Sequence, residues 1–372
     1  MRHRGTPVRR LARLLLPAAL AALAAGATGT AAASPATLEI WFVDVEGGQS
    51  TLIVTPDKRS LLIDAGWAGD GSGFTPGDPH VARDANRIVA AAHAAGVSRI
   101  DYLLITHFHP DHDGGVSELA QLMPIDVFID HGAPSPAAGS NVPDTQAAFA
   151  AYEKVRAAGA AHLEPRPGER LPLAGIETTV VSSAGATLRN PLPGAGASNP
   201  ACEAREPVAA RDPYENPRST GVLIAFGRFR FLDVGDLTGA PLHALACPRD
   251  LIGPVDAYLV AHHGGPDAAD PATFAAFRPR VAIMNNGLSK GGARNTYQLL
   301  HQVPGLEDVW QLHLSAEAAD SNFPAAYVAN LDESTAWWLR LVARRDGSFR
   351  IENPRTGAWH DYPARPVRST PR

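Results

Sequence analysis

The sequence predicts an α/β layered fold, and two observations support this. Short runs rich in Val, Ile, Leu and aromatic residues recur along the chain, and their length and turn boundaries are typical of strands, several of them buried on both faces. Helical segments lie between some of these runs, which favours strands and helices stacked in layers. The predicted strands are 38–45, 50–55, 60–63, 100–106, 126–129, 178–182, 221–226, 229–234, 257–260 and 281–284.

Two helices are predicted between the strands. The first covers 84–95, with Asp84 as its N-cap and Gly96 just past its end. The second covers 146–158 and closes at Gly159.

Irregular segments interrupt this pattern. The Gly/Pro-rich stretches 69–80 and 183–218 are predicted loops, and the second is long enough to act as a lid or to be disordered. Segment 337–362 resembles two short strands joined by a turn at 345–348. Residues 363–372 are predicted to be a frayed tail.

A weak internal repeat divides the chain into two similar parts. Segment 60–64 ends in Asp and is followed by 100–107, which ends in His. Segment 231–236 ends in Asp and is followed by 255–262, which again ends in His. Two such halves packed face to face would bring both sets of strand ends to one edge. Chance similarity of two αβ units is the alternative.

The N-terminus has the order of a secretory signal. Residues 1–33 contain arginines as their only charged side chains, followed by an apolar run over 14–25 and then small residues. We predict cleavage after Ala33, with Ala36 as the alternative, and a secreted or periplasmic domain over 34–362. The pair Arg9 and Arg10 fits either a twin-arginine signal or ordinary export.

Charge and composition exclude several classes of protein. The chain has 33 Lys+Arg, of which five lie in the predicted signal, so 28 face 38 Asp+Glu in the remainder and its net charge is close to −10. Such a balance argues against an extended surface for nucleic acid. Hydrophobic residues make up 45%, enough for a sizeable core, and no stretch is long and apolar enough for a stable membrane span.

Cys202 and Cys247 are the chain's two cysteines. In an exported protein they are expected to form a disulfide, and two unpaired thiols are the alternative.

The segment from His107 to His112, His-Phe-His-Pro-Asp-His, predicts a metal site. Alternate residues of an extended backbone share a face, so His107 and His109 can point at one cation. A turn at Pro110 would then bring Asp111 and His112 to an adjacent position. Imidazole and carboxylate suit Zn²⁺, and Mn²⁺ or Fe²⁺ are also compatible. We expect one or two ions.

Further ligands should come from other strand ends. Asp236 follows a buried strand and would bridge two metals, or else stabilise a turn. One residue of the pair His262 and His263 is expected to ligate, while the other contacts substrate or moves a proton. We assign ligation to His263 and the catalytic role to His262.

Two more residues are candidates around the same site. His131, after a predicted strand, is either a further ligand or a turn histidine without a metal role. Asp64 is expected to hydrogen-bond the ligand loop and fix its histidines, or else to cap the turn before Gly66.

These motifs resemble those of the metallo-β-lactamase superfamily. His107, His109, Asp111 and His112 match its HxHxDH signature, and Asp236 with His262/His263 match its later motifs. More closely, the chain is similar to the hydrolase domain of ComEC-type competence proteins. The features shared with that domain are Phe42-Val-Asp44-Val, Leu62-Ile-Asp64-Ala-Gly66, Glu215-Asn216, Ser219, Gly235-Asp236 and His262-His263-Gly264. The resemblance implies a four-layer αββα sandwich with metals at one edge of its sheets.

The chain departs from the family pattern at three places. The opening motif, usually VGQGDS, reads Val-Glu-Gly-Gly-Gln-Ser over 45–50. No histidine follows the strand at Val181, where many members have a ligand, so one metal site either lacks that ligand or takes it from His131. The membrane channel of competence proteins is absent, so DNA uptake does not follow from the likeness.

The expected activity is hydrolysis by a metal-activated water. Asp111 or Asp236 would orient the nucleophile, and His262 would assist the leaving group. The resemblance favours hydrolysis of a phosphoester or phosphodiester. The acidic net charge favours a small-molecule or other ester substrate over long DNA. A lactone or β-lactam hydrolase, or a non-catalytic metal-binding protein of the same fold, is the alternative. The sequence leaves the oligomeric state open.

Overall fold

The structure is a computed structural model that describes residues 36–158, 161–203 and 206–366. The predicted signal over 1–33, the end of the second predicted helix at Gly159 and most of the predicted tail lie outside these residues. Among the residues described, no helix combines the length and the hydrophobicity that crossing a bilayer requires.

The described residues form eighteen strands and six α-helices. The strands are β1 (Leu38–Phe42), β2 (Thr51–Val54), β3 (Ser60–Ile63), β4 (Ile100–Leu104), β5 (Ile125–Ile129), β6 (Ala161–Leu163), β7 (Arg170–Leu171), β8 (Glu177–Ser183), β9 (Ala186–Thr187), β10 (Gly221–Phe226), β11 (Phe229–Asp233), β12 (Ala257–Leu259), β13 (Val281–Met284), β14 (Asp308–His313), β15 (Val328–Asn330), β16 (Leu339–Ala343), β17 (Phe349–Asn353) and β18 (Ala358–Tyr362). The helices are α1 (Arg83–Ala94), α2 (Val116–Leu122), α3 (Thr145–Arg156), α4 (Gly239–Ala244), α5 (Pro271–Phe277) and α6 (Arg294–Leu300).

The strands make two nine-stranded sheets. The first has the order β18-β17-β16-β1-β2-β3-β4-β5-β6, and the second has the order β15-β14-β13-β12-β11-β10-β8-β7, with β9 paired to β8. Within the first sheet, β3, β4, β5 and β6 run parallel, and the remaining neighbours are antiparallel. Within the second, β11 to β15 run parallel.

Three buried apolar clusters set the layer order. The central cluster joins side chains of both sheets, including Phe42 and Phe231, whose rings are 5.8 Å apart. A second cluster packs α1, α2 and α3 on the outer face of the first sheet, and a third packs α4, α5 and α6 on the outer face of the second. The layers are therefore helix, sheet, sheet, helix, which confirms the predicted αββα sandwich.

The internal repeat corresponds to real structural similarity. In the first sheet β3 pairs parallel with β4, and in the second sheet β11 pairs parallel with β12. Asp64 follows β3 and His107 follows β4, while Asp236 follows β11 and His262 follows β12. Since parallel strands present their carboxyl ends at the same edge, each sheet delivers one such pair of residues to its edge.

The predicted N-cap of the first helix was wrong. The helix begins at Arg83, its N-cap is Ala82, and Asp84 lies inside the first turn. The Asp84 carboxylate instead accepts a hydrogen bond from the Trp67 backbone N–H at 2.8 Å and pairs with the Arg83 guanidinium. Asp84 thus ties α1 to the turn after β3. The predicted end of the helix is confirmed, because Gly96 has φ +75°.

Two other predicted segments contain more structure than expected. The C-terminal hairpin is present as β16 and β17, and a third strand, β18, extends it. The long loop over 183–218 contains β9 and two short 3₁₀ turns. Cys202 and Cys247 form the expected disulfide, which ties this loop to the segment after α4.

Candidate metal centre

The ligand loop leaves β4 and folds into a tight turn. The backbone N–H groups of His112 and Asp113 both donate to the His109 carbonyl, at 2.8 and 3.0 Å. The loop then enters α2 through two glycines. A Cβ at Gly115 would lie 2.2 Å from the Ala65 carbonyl oxygen, so only glycine fits where the loop crosses the end of β3.

Four side chains from three strand ends form one donor group. Asp111, His112, Asp236 and His263 each offer one ligand atom, all within 4.8 Å of one another. The Asp236 Oδ2 atom lies 3.3 Å from His112 Nε2 and 3.2 Å from His263 Nε2. Asp111 Oδ2 lies 3.2 Å from His263 Nε2, and all four residues are buried. The edge of the two sheets therefore carries a compact set of two imidazoles and two carboxylates.

His107 and His109 form a second pair of donors beside this group. His107 Nε2 lies 2.9 Å from His109 Nδ1 and 3.8 Å from Asp236 Oδ2. Burial lowers the pKa of both imidazoles, and the neighbouring His112 lowers that of His107 further. Both rings are therefore neutral near pH 7 and keep a lone pair for a cation.

Asp64 and Thr106 determine which ring nitrogens face the cluster. Asp64 accepts from the Thr106 N–H at 2.7 Å, from the Thr106 hydroxyl at 2.8 Å and from His112 Nδ1 at 2.7 Å. His107 Nδ1 lies 3.1 Å from the same hydroxyl oxygen. With both Nδ1 atoms used as donors, Nε2 of each ring is left with its lone pair towards the donor group. The hydrogen bond expected from Asp64 to the ligand loop is therefore present.

Two further carboxylates orient the imidazole rings of His109 and His262. Asp212 Oδ2 lies 3.4 Å from His109 Nε2, which leaves His109 Nδ1 facing His107. Asp267 Oδ1 lies 2.7 Å from His262 Nδ1. Asp212 is itself held by three backbone N–H groups of the turn that follows it, at 2.7 to 3.1 Å. Such carboxylate–imidazole pairs fix the tautomer and the ring orientation.

The carboxylates of the donor group are charged. Burial opposes ionisation of Asp111, but Lys290 and His112 outweigh it and hold its pKa well below the usual range. Burial is likewise outweighed at Asp236 by His263 and His112, so its pKa is also well below the usual range. The two acids in turn raise the pKa of His112 despite its burial. The two carboxylates are thus ionised and can hold a cation.

The residues fit a divalent transition-metal ion. Imidazole nitrogen with carboxylate oxygen is the donor set that Zn²⁺, Mn²⁺ and Fe²⁺ accept. Asp236 Oδ1 is buried and has no hydrogen-bond partner among the described residues, as expected for a carboxylate whose second oxygen completes a cation site. Asp111, His112, Asp236 and His263 would hold one ion, and His107 with His109 would hold a second that shares Asp236.

His262 and His263 have different surroundings. Both have left-handed backbone conformations, with φ of +49° and +52°, which are uncommon and costly for non-glycine residues. His263 points its Nε2 atom into the donor group. His262 Nε2 lies farther from Asp236 Oδ2, at 3.8 Å, and 3.3 Å from Asn216 Nδ2. Burial works against a charged His262, but Asp236 and Asp267 outweigh it and raise its pKa.

A small cavity of about 150 Å³ lies beside these two histidines. His262 and His263 form part of its lining, together with Arg211 and Lys290. The Lys290 ammonium hydrogen-bonds the Asp111 carboxylate and donates to the Gly47 carbonyl at 2.7 Å. Cationic side chains therefore border the approach to the donor group.

A buried ion-pair network holds the segment that follows β1. Asp44 accepts from Arg87 at 2.9 Å and from His313 Nε2 at 2.8 Å, and Glu46 accepts from Arg87 at 3.1 Å. This network fixes the turn that ends at Gln49, whose N–H donates to the Asp111 carbonyl at 3.1 Å. The variant opening motif thus still contacts the ligand loop.

The structure does not bring His131 to the donor group. Its Nε2 atom lies 3.1 Å from Glu215 Oε2, and its ring packs 4.5 Å from the Phe108 ring. Glu215 Oε2 also accepts weakly from the Phe108 N–H at 3.4 Å. His131 therefore supports the ligand loop from behind through Glu215, and ligation by His131 remains a prediction without support from these contacts.

The end of β8, where the resemblance led us to expect a histidine, carries Ser182 and Ser183. Ser182 Oγ donates to the Ser219 carbonyl at 2.8 Å and accepts from the Gly221 N–H at 3.0 Å. These bonds fasten β8 to β10, and no histidine of the described residues replaces the missing ligand. The sequence interpretation also missed Asp212, Asp267 and Lys290. Their signal is weak, because single acids and lysines in glycine- and proline-rich loops are common.

Comparison with known proteins agrees with this geometry. Residues 43–195 match the family model described as the metallo-beta-lactamase superfamily. This part of the chain is similar to a metallo-beta-lactamase superfamily domain. The matched part includes the whole ligand loop and ends before Asp236 and His263. No curated protein matches the chain in sequence.

Solved structures with similarity to the chain include three different proteins. A metallo-beta-lactamase of Cronobacter sakazakii with a HARLDQ motif is 18% identical, over 53% of this chain and 60% of that one, with a TM-score of 0.32. The metallo-beta-lactamase fold protein YhfI of Bacillus subtilis is 11% identical, over 74% and 95%, with a TM-score of 0.42. The diiron β-hydroxylase CmlA of Streptomyces venezuelae is 16% identical, over 68% and 46%, with a TM-score of 0.37. The chain spans about 60% of the length of the Cronobacter structures.

Proposed function

We propose that this protein is an exported, zinc-dependent hydrolase that cleaves phosphodiesters. The observation that carries the proposal is the four-residue donor group of Asp111, His112, Asp236 and His263 at the edge of both sheets. When bound, a divalent metal at such a site supplies hydroxide at neutral pH and positive charge for a developing oxyanion. Export is supported by the order of residues 1–33, and the ComEC-type likeness by the motifs given above.

The chain's own residues supply the remaining steps. The buried Asp111 and Asp236 carboxylates would accept hydrogen bonds from the attacking water and orient it. His262 is held through Nδ1 by Asp267, so in the charged ring the Nε2–H is the group available to protonate a leaving oxygen. Its raised pKa makes the charged form accessible near neutral pH.

The positive side chains near the site favour an anionic substrate. Arg211 and Lys290 line the small cavity next to His262, and each can neutralise a phosphoryl oxygen that is not undergoing attack. Charge of this kind would also attract the carboxylate of a β-lactam. A direct substrate comparison distinguishes the two classes.

The test is metal content together with a substrate panel. Purified protein should contain one to two equivalents of zinc and hydrolyse bis(p-nitrophenyl) phosphate faster than a lactone or a β-lactam. Asp236→Ala should lose most of this activity, and so should His109→Ala. Asp346→Ala is a matched control, because Asp346 is exposed and caps a distant turn through Ser348. Lactam turnover without phosphodiester turnover would overturn the substrate assignment, and metal binding without any turnover would favour a non-catalytic metal-binding protein.

A further inference from the structure

A second and larger cavity, of about 800 Å³, lies next to the ligand loop and is not used by the steps above. Its walls come from His131 and from parts of segments 164–168 and 183–192. A volume of this size is within the range of about 300–1,000 Å³ that small-molecule pockets occupy.

Two contacts connect this cavity to the ligand loop and the residue before it. His131, in its wall, packs against the Phe108 ring at a centroid distance of 4.5 Å, and Phe108 lies between the ligand-loop residues His107 and His109 in the sequence. Ser183, also in the wall, has its hydroxyl 3.4 Å from that of Thr220, and the Thr220 N–H donates to the Thr106 carbonyl at 2.8 Å. The cavity is thus in contact with residues that flank the ligand loop, a position suited to the distal part of a substrate.

The cavity carries an excess of positive charge in an acidic protein. Arg166 and Arg189 both line it, and neither guanidinium pairs with a carboxylate of residues 36–158, 161–203 or 206–366. The acid in the lining is Glu164, which lies 3.7 Å from His162 Nδ1. Guanidinium groups without protein partners bind phosphate and carboxylate in bidentate fashion.

His131 adds a buried polar atom without a partner. Its side chain is fully buried, and Nε2 is engaged by Glu215. Its Nδ1 atom has no hydrogen-bond partner among the described residues. With Nε2–H donated to Glu215, Nδ1 keeps its lone pair, and His131 fixes the end of the cavity that is nearest to Glu215.

We propose that the arginine cavity, defined by His131, Arg166 and Arg189, binds the part of the substrate beyond the scissile bond and selects a group that carries phosphate or carboxylate. This inference rests on the proposed hydrolase function, because it places the reacting bond at the metal centre. The uncharged wall residues Leu188 and Leu192 would contact the apolar body of the same group.

The test uses three p-nitrophenyl phosphodiesters whose second ester group ends in a phosphate, a carboxylate or a hydroxyl. The variant Arg166→Gln/Arg189→Gln should lose about tenfold in kcat/KM on one or both anionic substrates and keep its rate on the neutral one, since two exposed charge-assisted contacts are removed. The phosphate and carboxylate arms identify which oxyanion is preferred. The matched control Arg99→Gln/Arg170→Gln removes two exposed arginines that pair with Asp126 and Glu177 elsewhere, and should leave all three rates unchanged.

A binding measurement separates this inference from the proposed function. Calorimetric titration of the metal-loaded protein with 3-phosphonopropionate should show affinity that the arginine variant loses and the control keeps. If that result appears without turnover of any diester, the cavity stands and the phosphodiester function falls. If all three diesters are cleaved equally by wild type and the arginine variant, the function stands and the cavity assignment is overturned. Equal binding of the probe by both proteins would also overturn it.

Discussion

Replacing Asp64 by Asn tests whether the buried carboxylate prepares His112 as a metal ligand. Asp64 has a left-handed backbone, with φ +61°, and Asn is among the few side chains that tolerate this conformation. Asn also keeps the size and shape of the side chain. The substitution therefore removes one charge and one acceptor while it adds no backbone strain and no cavity.

The expected effect follows from the hydrogen bonds at this position. The Asn oxygen can still accept from the Thr106 N–H, but its NH₂ group would face His112 Nδ1, which now has to accept. His112 would then carry its proton on Nε2, the atom that lies 3.3 Å from Asp236 Oδ2 and 3.3 Å from His263 Nε2. Loss of such an orienting partner typically weakens metal binding by about 10–100-fold. That range corresponds to about 1.4–2.7 kcal/mol of binding free energy.

The measurement is the dissociation constant for zinc, by competition with a chromophoric chelator at neutral pH. Asp130→Asn is the matched control, because Asp130 is equally buried but accepts from Tyr152 at 2.6 Å and from Arg156 at 2.7 Å. The control should lose stability and keep its zinc affinity. If Asp64→Asn binds zinc within about twofold of wild type, less than 0.5 kcal/mol on the affinity scale, the reasoning about the His112 tautomer is refuted.

Three further outcomes are expected. Burial raises the pKa of Asp233 to about 7, so between about pH 4 and pH 7 the folded state keeps a proton that the unfolded state has lost. The free energy of unfolding should therefore fall by up to about 4 kcal/mol as pH rises over that range. Denaturant unfolding at several pH values should show a smaller slope for Asp233→Asn than for wild type, and an unchanged slope would count against this assignment. Reduction of the disulfide, which joins residues 45 apart in sequence, should lower the free energy of unfolding by about 4 kcal/mol on the chain-entropy model, and a change below about 1 kcal/mol would contradict that. In Gly48→Ala the new Cβ would lie 2.5 Å from the Asp111 carbonyl oxygen, so zinc affinity should drop, whereas Gly77→Ala, with no atom within 4 Å of its Cβ, should bind zinc like wild type.

The layered fold could be predicted because its central strands can be recognised from the apolar residues of the local sequence. The ten predicted strands are all present, since each carries apolar residues in a sheet that is covered on both faces. The strand β14 was missed for the opposite reason. Its buried Gln311 and His313 look like loop residues, and they find partners only in the folded chain, at Asn322 and Asp44. Contacts between residues this far apart cannot be predicted from the local sequence.

The residues of the candidate site also fall into two groups: those that the local sequence reveals and those that depend on distant contacts. The ligand loop could be recognised because its four donors lie within six residues of one another. Asp236 and His263 could be added because each follows an apolar strand. Asp212 could not, since its position depends on the course of the long loop after β8, which is tied down by the disulfide at Cys202. Its three backbone hydrogen bonds come from the turn it starts, and nothing in the sequence pattern shows that this turn faces His109.

The donor atoms are contributed unequally by the two halves. The loop after β4 supplies His107, His109, Asp111 and His112, whereas the second sheet supplies Asp236 and His263. Asp236 Oδ2 is within 3.8 Å of His107 and 3.3 Å of His112, so this carboxylate joins the two donor groups. The absence of a histidine at the end of β8 leaves the His107 side with two neutral imidazoles and this shared acid. The negative charge is therefore concentrated on the four-residue group.

Net charge is a poor guide to what the site attracts, because it sums charges that the fold separates. From residue 34 onward the chain is close to −10, a balance that argues against binding large polyanions. Yet Arg211 and Lys290 border the cavity next to His262, and Arg166 and Arg189 line the cavity next to His131. An acidic surface would repel long nucleic acid at a distance, while these local cations would accept a small anion that reaches the sheet edge. We therefore expect small anionic substrates rather than polymeric ones.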